Sequence, residues 1–226
     1  MKRKIFLWHQ ELKEFLKIED KEIINRLKNV LRLKNGERIF FLNNFSQEGE
    51  YELLDNKKFI FKRISLKERE LVPKRKINLY LSLIRKENFE LILEKGTELG
   101  VYLFQPVLSQ RSSLKIKEIP QRWFKIIGSA LEVTNWKHTP EIKEVKTLGE
   151  ILKEVKENFY LAHKSGEKIN LNELPEEINL LIGPEGGFSE EEEKMIKEKA
   201  KLISLGNFDL RTETACLVFL SLLNFS

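Results

Sequence analysis

The chain has 226 residues, 41% hydrophobic and 33% charged, with a formal net charge of +5. That balance excludes a disordered or fibrous polymer, and no apolar run reaches the ~20 residues that a membrane-crossing helix needs. A single cysteine, Cys216, excludes an internal disulfide and a cysteine-built metal cluster, while His9, His138 and His163 lack ligand spacing. The basic N-terminus meets acids at once and has no small-residue cleavage site, so the sequence reads as cytoplasmic, with no metal and no membrane partner.

In chain order, Asp20 is placed to cap a helix over 21–33, whose apolar residues recur at three and four. Lys34-Asn35-Gly36 then turns the chain. Strands follow at 38–42, 50–54 and 58–64, separated by polar turns at Asn43-Asn44 and Asp55-Asn56, which suits a small barrel or compact sheet. Arg32, Lys34 and Arg38 cluster around its first turn. Residues 1–72 hold 17 Lys and Arg against 12 Asp and Glu, while residues 73–226 hold 23 of each. This asymmetry fits either nucleic acid touched by the N-terminal third or a solvated basic surface. The charged stretch 66–76, with Pro73, reads as a linker.

Beyond it strands and helices alternate. A strand at 77–83 leads into an amphipathic helix at 87–100 stopped by Gly100. A strand at 101–108 precedes a helix near 120–135, with Pro120 suited to its first turn. Short apolar strands recur at 158–163, 178–183 and 201–206. Such alternation argues for a largely parallel α/β sheet covered on both faces, with ligands at the carboxyl ends of its strands. The last helix, 214–225, is apolar nearly all round and must be covered by a core or by a partner.

The loop Gly183-Pro184-Glu185-Gly186-Gly187 follows a buried strand yet lacks the ending of a phosphate loop and the spacing of a dinucleotide fingerprint. Ser189 and Glu192 form a capping box, and the acids 190–193 complement the helix dipole while repelling a polyphosphate. A neutral or cationic ligand is the better fit, beside the plainer reading of a tight turn. Leu205-Gly206 and Leu210-Arg211 repeat the plan of strand, glycine turn and helix, with Thr212 or Thr214 available as a cap. Cys216 reads as packed inside the last helix.

These two loops resemble the trefoil-knotted SPOUT methyltransferases. Within that superfamily the sequence resembles the ribosomal RNA small subunit methyltransferase E family, which makes N3-methyluridine in 16S ribosomal RNA. Val30-Leu31-Arg32 with Gly36, Lys95-Gly96-Thr97-Glu98-Leu99-Gly100-Val101, Pro106 and Gln110-Arg111-Ser112 extend the likeness along nearly the whole chain. The resemblance implies a PUA-like β-barrel that binds RNA over 1–70. It implies a knotted α/β methyltransferase domain with a mostly parallel sheet over 74–226, and a homodimer acting on 16S ribosomal RNA or the small ribosomal subunit. It implies S-adenosylmethionine held by Leu181, Ile182, Gly183, Pro184, Glu185, Gly186 and Gly187, by Leu205 and Gly206, and by Leu210, Arg211, Thr212, Glu213, Thr214 and Ala215. The strand end Leu161-Ala162-His163 is placed to complete that pocket.

Because uridine N3 must lose a proton, Arg211 is the catalytic candidate, stabilising negative charge on a carbonyl oxygen; a structural ion pair with Glu213 or with a dimer partner is the alternative. Glu98 and Glu132 are the candidate bases, each fitting better as a helix-surface or helix-dipole residue. RNA contacts fall on Arg32, Lys34, Arg38, Arg111, Trp136 and Lys137. One stretch departs from the family pattern: Val133, Thr134 and Trp136 stand where Gln, Ser and Arg are usual, so Trp136 is either a stacking platform or core. The alternatives are a knotted methyltransferase acting elsewhere on RNA, such as a ribose 2′-hydroxyl, or an RNA-binding protein that keeps the fold without turnover.

Overall fold

The computed structural model describes residues 5–43, 46–134, 136–155 and 157–225. Asn44 of the expected 43–44 turn and Asn135 of the departing stretch lie outside them. The chain forms two compact units, Met1–Val72 with Gly128–Thr139, and Pro73–Ile127 with Pro140–Ser226.

The first unit holds strands β1 (Phe6–Trp8), β2 (Phe15–Lys17), β3 (Arg38–Leu42), β4 (Gln47–Asp55) and β5 (Ile60–Glu68), and helix α1 (Lys21–Asn25). They form one five-stranded sheet in the order β1-β3-β4-β5-β2. Only β1 and β3 run parallel. Among the described residues no pairing joins the β1 and β2 edges, so the sheet is open there. Alternation along the strands sends Ile39, Phe41, Tyr51, Leu53 and Phe61 into one core. The Phe41 ring meets Tyr51 and Phe61 edge-on, each with centroids 5.3 Å apart. The Tyr51 hydroxyl donates to the Lys13 carbonyl at 2.7 Å, so it is not buried unpaired.

The expected helix over 21–33 is corrected. Asp20 does cap it, its carboxylate accepting from Glu22 and Ile23 N–H. After Asn25, however, Arg26–Val30 widen into a π-type turn, and Arg32 takes a φ of +52°. The wide turn buries Leu27 completely while Ile23, Ile24 and Leu31 pack beside it, and a left-handed residue ends the helix.

The stretch expected as a linker, 66–76, does contain the division between the units, at Val72 and Pro73, but its flanks are built into them. β5 runs to Glu68, and Arg69 is 2% exposed, donating to the Asn43 carbonyl at 2.9 Å. Burial lowers the Arg69 pKa to about 10, and the nearby Glu48 carboxylate acts in the opposite direction. Residues 128–139 join this unit through specific contacts. Glu132 accepts from Trp8 N–H at 2.9 Å and pairs with Arg26. A Cβ on Gly128 would stand 2.8 Å from the Trp8 ring.

The second unit holds β6 (Lys76–Ser82), β7 (Val101–Leu108), β8 (Glu141–Ile142), β9 (Lys146–Thr147), β10 (Phe159–Lys168), β11 (Glu177–Ile182) and β12 (Lys201–Ser204). The order is β12-β10-β11-β6-β7-β8, with β9 also on β7, and every pairing is parallel. Its helices are α2 (Lys86–Glu98), α3 (Gln121–Leu131, whose residues from Gly128 on belong to the first unit), α4 (Leu148–Glu154), α5 (Glu190–Lys197) and α6 (Thr212–Phe225). The short helix α4 was not expected from periodicity; Thr147 and Glu150 start it with a capping box.

α6 buries Cys216, Phe219, Leu220, Leu223 and Asn224 and leaves Val218 and Phe225 exposed. Thr212 and Thr214 lie within it, so neither is the cap. Its far end is pinned by polar groups: the Asn224 carbonyl accepts from Arg75 N–H at 3.0 Å, and its amide donates to the Leu99 carbonyl at 2.8 Å. The Arg75 guanidinium donates to the Leu223 carbonyl at 2.7 Å, satisfying a helix-end acceptor and complementing the dipole. Gly100, at φ +81°, closes α2 as expected, and a Cβ there would meet Pro73 at 2.7 Å.

Candidate functional site

β10, β11 and β12 lie side by side and parallel, so their carboxyl ends open on the same edge. Each leaves the sheet in its own way. β11 enters a tight turn in which Gly187 N–H donates to the Pro184 carbonyl at 2.9 Å, with Gly187 at φ +68°. Gly183 has no room for a side chain, because the Phe188 ring would lie 2.9 Å from its Cβ.

β10 does not stop at His163, as its sequence suggested. It bulges: Ala162 pairs with Ile203, and then Glu167 pairs with that same residue, so 163–166 project from the ladder. Gly166 permits this, since any Cβ would stand 2.6 Å from the Ile203 backbone nitrogen. β12 ends at Ser204, which is 4% exposed. Its hydroxyl lies 3.3 Å from the Lys164 carbonyl oxygen and 3.2 Å from that of Gly206, and accepts from Gly206 N–H at 3.0 Å. Gly206 takes φ +102°. One buried serine thus ties the β10 bulge to the β12 loop.

The three exits enclose a cavity of about 220 Å³. Of the residues expected to touch a ligand, Leu161, His163, Ile182, Gly183, Pro184, Gly187, Leu205, Gly206, Leu210, Thr212 and Ala215 line it. Leu181, Glu185, Gly186, Arg211, Glu213 and Thr214 do not. Leu181 is fully buried, in the core beneath. Lys164, Phe188, Glu193, Ser204, Phe208, Asp209 and Phe219 line the cavity without having been singled out. Phe219 was accessible to reasoning, because 212, 215 and 219 share a helix face. Lys164 and Asp209 were not, since a bulge and an irregular loop bring them together.

Glu185 and Gly186 have other work. The Glu185 carboxylate accepts from Arg85 N–H and from the Ser113 hydroxyl, each at 3.0 Å. Arg111 donates to the Gly186 carbonyl at 2.9 Å. Glu192 accepts from Gln110 N–H at 2.8 Å and completes a capping box with Ser189. The acids after the loop therefore divide: Glu192 holds backbone, Glu193 lines the cavity, and Glu190 and Glu191 face solvent.

Burial alone would raise the Glu185 pKa, but the hydrogen bonds from Arg85, its own N–H and Ser113, with the Arg85 charge, hold it below the usual carboxylate value. A lowered folded pKa contributes stability that is complete above the unfolded value of about 4.3 and is lost as pH falls through the folded value. We expect Glu185→Gln to flatten the acid limb of stability below that point, measured as urea midpoints from pH 7 to 3.

Arg211 precedes α6 between two lining residues and is exposed; its carbonyl accepts from Ala215 N–H at 2.9 Å. Among the described residues its guanidinium makes no ion pair, so the alternative pairing with Glu213 is not formed within the chain. Glu98 pairs with Lys95, and Glu132 is held by Arg26 and Trp8. The Cys216 thiol is fully buried, which pushes its pKa far up and removes it as a nucleophile. Among the described residues no three His, Cys, Asp or Glu converge as a metal site.

Of the residues expected to contact RNA, Arg111 lies on the 183–187 loop of the second unit. Arg32, Lys34, Arg38, Trp136 and Lys137 belong to the first. Arg38 faces Glu50 and Glu52 at 3.4 and 3.9 Å, so acids offset part of its charge. Trp136 is half-buried and pairs with Leu71, while Val133 is 77% exposed.

The chain as a whole is similar to known proteins in sequence and in fold. A ribosomal RNA small subunit methyltransferase E from Helicobacter pylori is 30% identical, over 96% of this chain and 98% of its own length. That from Aquifex aeolicus is 28% identical, over 86% and 94%. A Legionella pneumophila methyltransferase, solved in complex with the bound cofactor SAM, superposes with a TM-score of 0.85 at 27% identity, covering 98% of this chain and 97% of that one. The profile of the RNA methyltransferase domain family matches residues 72–224, the span that carries all three strand exits. With the motifs, the sheet and the full-length likeness in agreement, the chain belongs to the ribosomal RNA small subunit methyltransferase E family.

Proposed function

We propose that this protein transfers a methyl group from S-adenosylmethionine to N3 of a uridine in 16S ribosomal RNA. The carrying observation is the cavity at the ends of β10, β11 and β12, in a chain whose fold matches that of a Legionella methyltransferase solved in complex with the bound cofactor SAM. The residues present suit that ligand. Leu161, Ile182 and Phe219, each at most 3% exposed, offer an apolar bed for an adenine ring. Gly187 and Gly206, where an added Cβ would meet nothing within 4 Å, leave backbone open to the ligand. The charged lining, Lys164, Asp209 and Glu193, has no cluster of cations such as a polyphosphate needs and suits a ligand of net positive charge.

When bound, the donor supplies an electrophilic methyl carbon on a sulfonium that leaves as a neutral thioether. The chain's residues then act on the acceptor. Uridine N3 lies between two carbonyls, and loss of its proton to solvent water places negative charge on their oxygens. Arg211, with no ion pair among the described residues, donates to one of them and stabilises that charge as the nucleophile forms. The first unit, read as PUA-like, supplies Arg32, Lys34, Arg38, Trp136 and Lys137 to the RNA. The second, read as knotted, contributes Arg111. The exposed apolar residues Phe208, Leu210, Val218 and Phe225 support a homodimer, with this face of α6 and its leading loop covered by a second copy.

The test is mass mapping of nucleosides from small-subunit RNA incubated with protein and donor. Methyl on the uracil ring at N3 is expected. Methyl on a ribose would favour the 2′-hydroxyl reading, and ligand binding without any methylation would favour a non-catalytic RNA-binding protein.

A further inference from the structure

The two rims of the cavity carry opposite charges that meet. Lys164 projects from the β10 bulge, Asp209 from the loop after β12, and Lys164 Nζ donates to the Asp209 carboxylate at 2.6 Å. Neither side chain has another hydrogen bond or ion pair among the described residues. The backbone beneath Lys164 is tied to the start of the loop that carries Asp209, since the buried Ser204 hydroxyl reaches both the Lys164 carbonyl and Gly206. The side chains themselves are 60% and 84% exposed. An ion pair that wet contributes little to stability and is readily exchanged for another. Both partners, however, line the same cavity, and Lys164 rises from a tied backbone.

We propose that Lys164 and Asp209 form an exchangeable clasp for the amino-acid end of the ligand, Lys164 taking its carboxylate and Asp209 its ammonium. This rests on the reading of the cavity as the methyl-donor site. The pairing conserves charge, because one ion pair within the protein is replaced by two between protein and zwitterion. It also sets specificity: an adenosine thioether without the amino-acid portion gains nothing from opening the clasp, whereas one carrying it gains two charge-assisted contacts.

Calorimetry with two probes tests this, using the full-length protein. S-adenosylhomocysteine carries the amino-acid end and 5′-methylthioadenosine lacks it. Lys164→Met and Asp209→Asn should each weaken S-adenosylhomocysteine by about tenfold or more while leaving 5′-methylthioadenosine unchanged, as expected for loss of a charged partner. The exchange of charges, Lys164→Asp with Asp209→Lys, restores the ion pair but should leave S-adenosylhomocysteine weak, because each charge now faces its like. Equal weakening of both probes, unchanged affinity in the single variants, or rescue by the exchanged pair would overturn the clasp and leave the cavity assignment standing. Failure of both probes to bind the unaltered protein would overturn the assignment of the cavity, and the clasp with it.

Discussion

Arg211→Ala should lower methyl transfer by roughly 10²–10³-fold, the effect of removing one donor aimed at developing charge. Several observations set that expectation. Arg211 sits between Leu210 and Thr212, which line the cavity, yet does not line it, which suits the proposed role toward an acceptor base better than one toward the donor. It has no ion pair to break among the described residues and is exposed, so truncation should change stability by no more than about 0.5 kcal/mol. The fall should therefore appear in kcat, with affinity for S-adenosylhomocysteine and the oligomeric state retained. Single-turnover rates at saturating RNA and donor provide the measurement. Turnover within a fewfold of the unaltered protein would take Arg211 out of the chemistry.

Gly166→Ala should be the most damaging small substitution in the second unit. Its Cβ would meet the Ile203 nitrogen at 2.6 Å and the Leu202 carbonyl carbon at 2.7 Å. These are backbone atoms of a paired strand and cannot rotate away, so β10 must separate from β12 or the bulge must shift. Overpacking of this kind costs about 3 kcal/mol. Because 163–166 carry a rim of the cavity, ligand affinity should fall along with stability. Gly149→Ala provides the contrast: in α4 an added Cβ meets nothing within 4 Å, and the lower entropy of the unfolded chain should make that variant about 0.5–1 kcal/mol more stable. Urea midpoints for both, with calorimetry on the first, decide the matter; a Gly166→Ala protein as stable as the original would show that the bulge is not constrained as described.

Where local chemistry decides a feature, the sequence announces it. Asp20, Ser189 with Glu192, and Gly100 all do at helix ends what their residue types favour. The strands 38–42 and 101–108 have the limits that their apolar pattern marks. The features that stay hidden depend on distant partners. Nothing local tells that Arg69 and Arg75, in a charged stretch, are buried, because their acceptors are carbonyls at Asn43 and Leu223. The grouping of 128–139 with the N-terminal unit depends on Trp8, Arg26 and Leu71. In the same way, glycine and leucine motifs point to the cavity walls, while the rim charges Lys164 and Asp209, 45 residues apart, meet only once a bulge is formed.

The pinning of α6 has a consequence for how the second unit comes into being on the ribosome. Asn224 fastens Arg75 and Leu99 across separations of 149 and 125 residues, and the centre of the sheet joins Ile77 to Ile178. The sheet contact can close once Ile178 is available, but the two Asn224 contacts cannot close before the final turn of helix has been synthesised and has emerged. For the Asn224 contacts loop-closure entropy is therefore met late, which slows formation of the native state. The nascent second unit must wait, partly assembled, for the residues around Asn224.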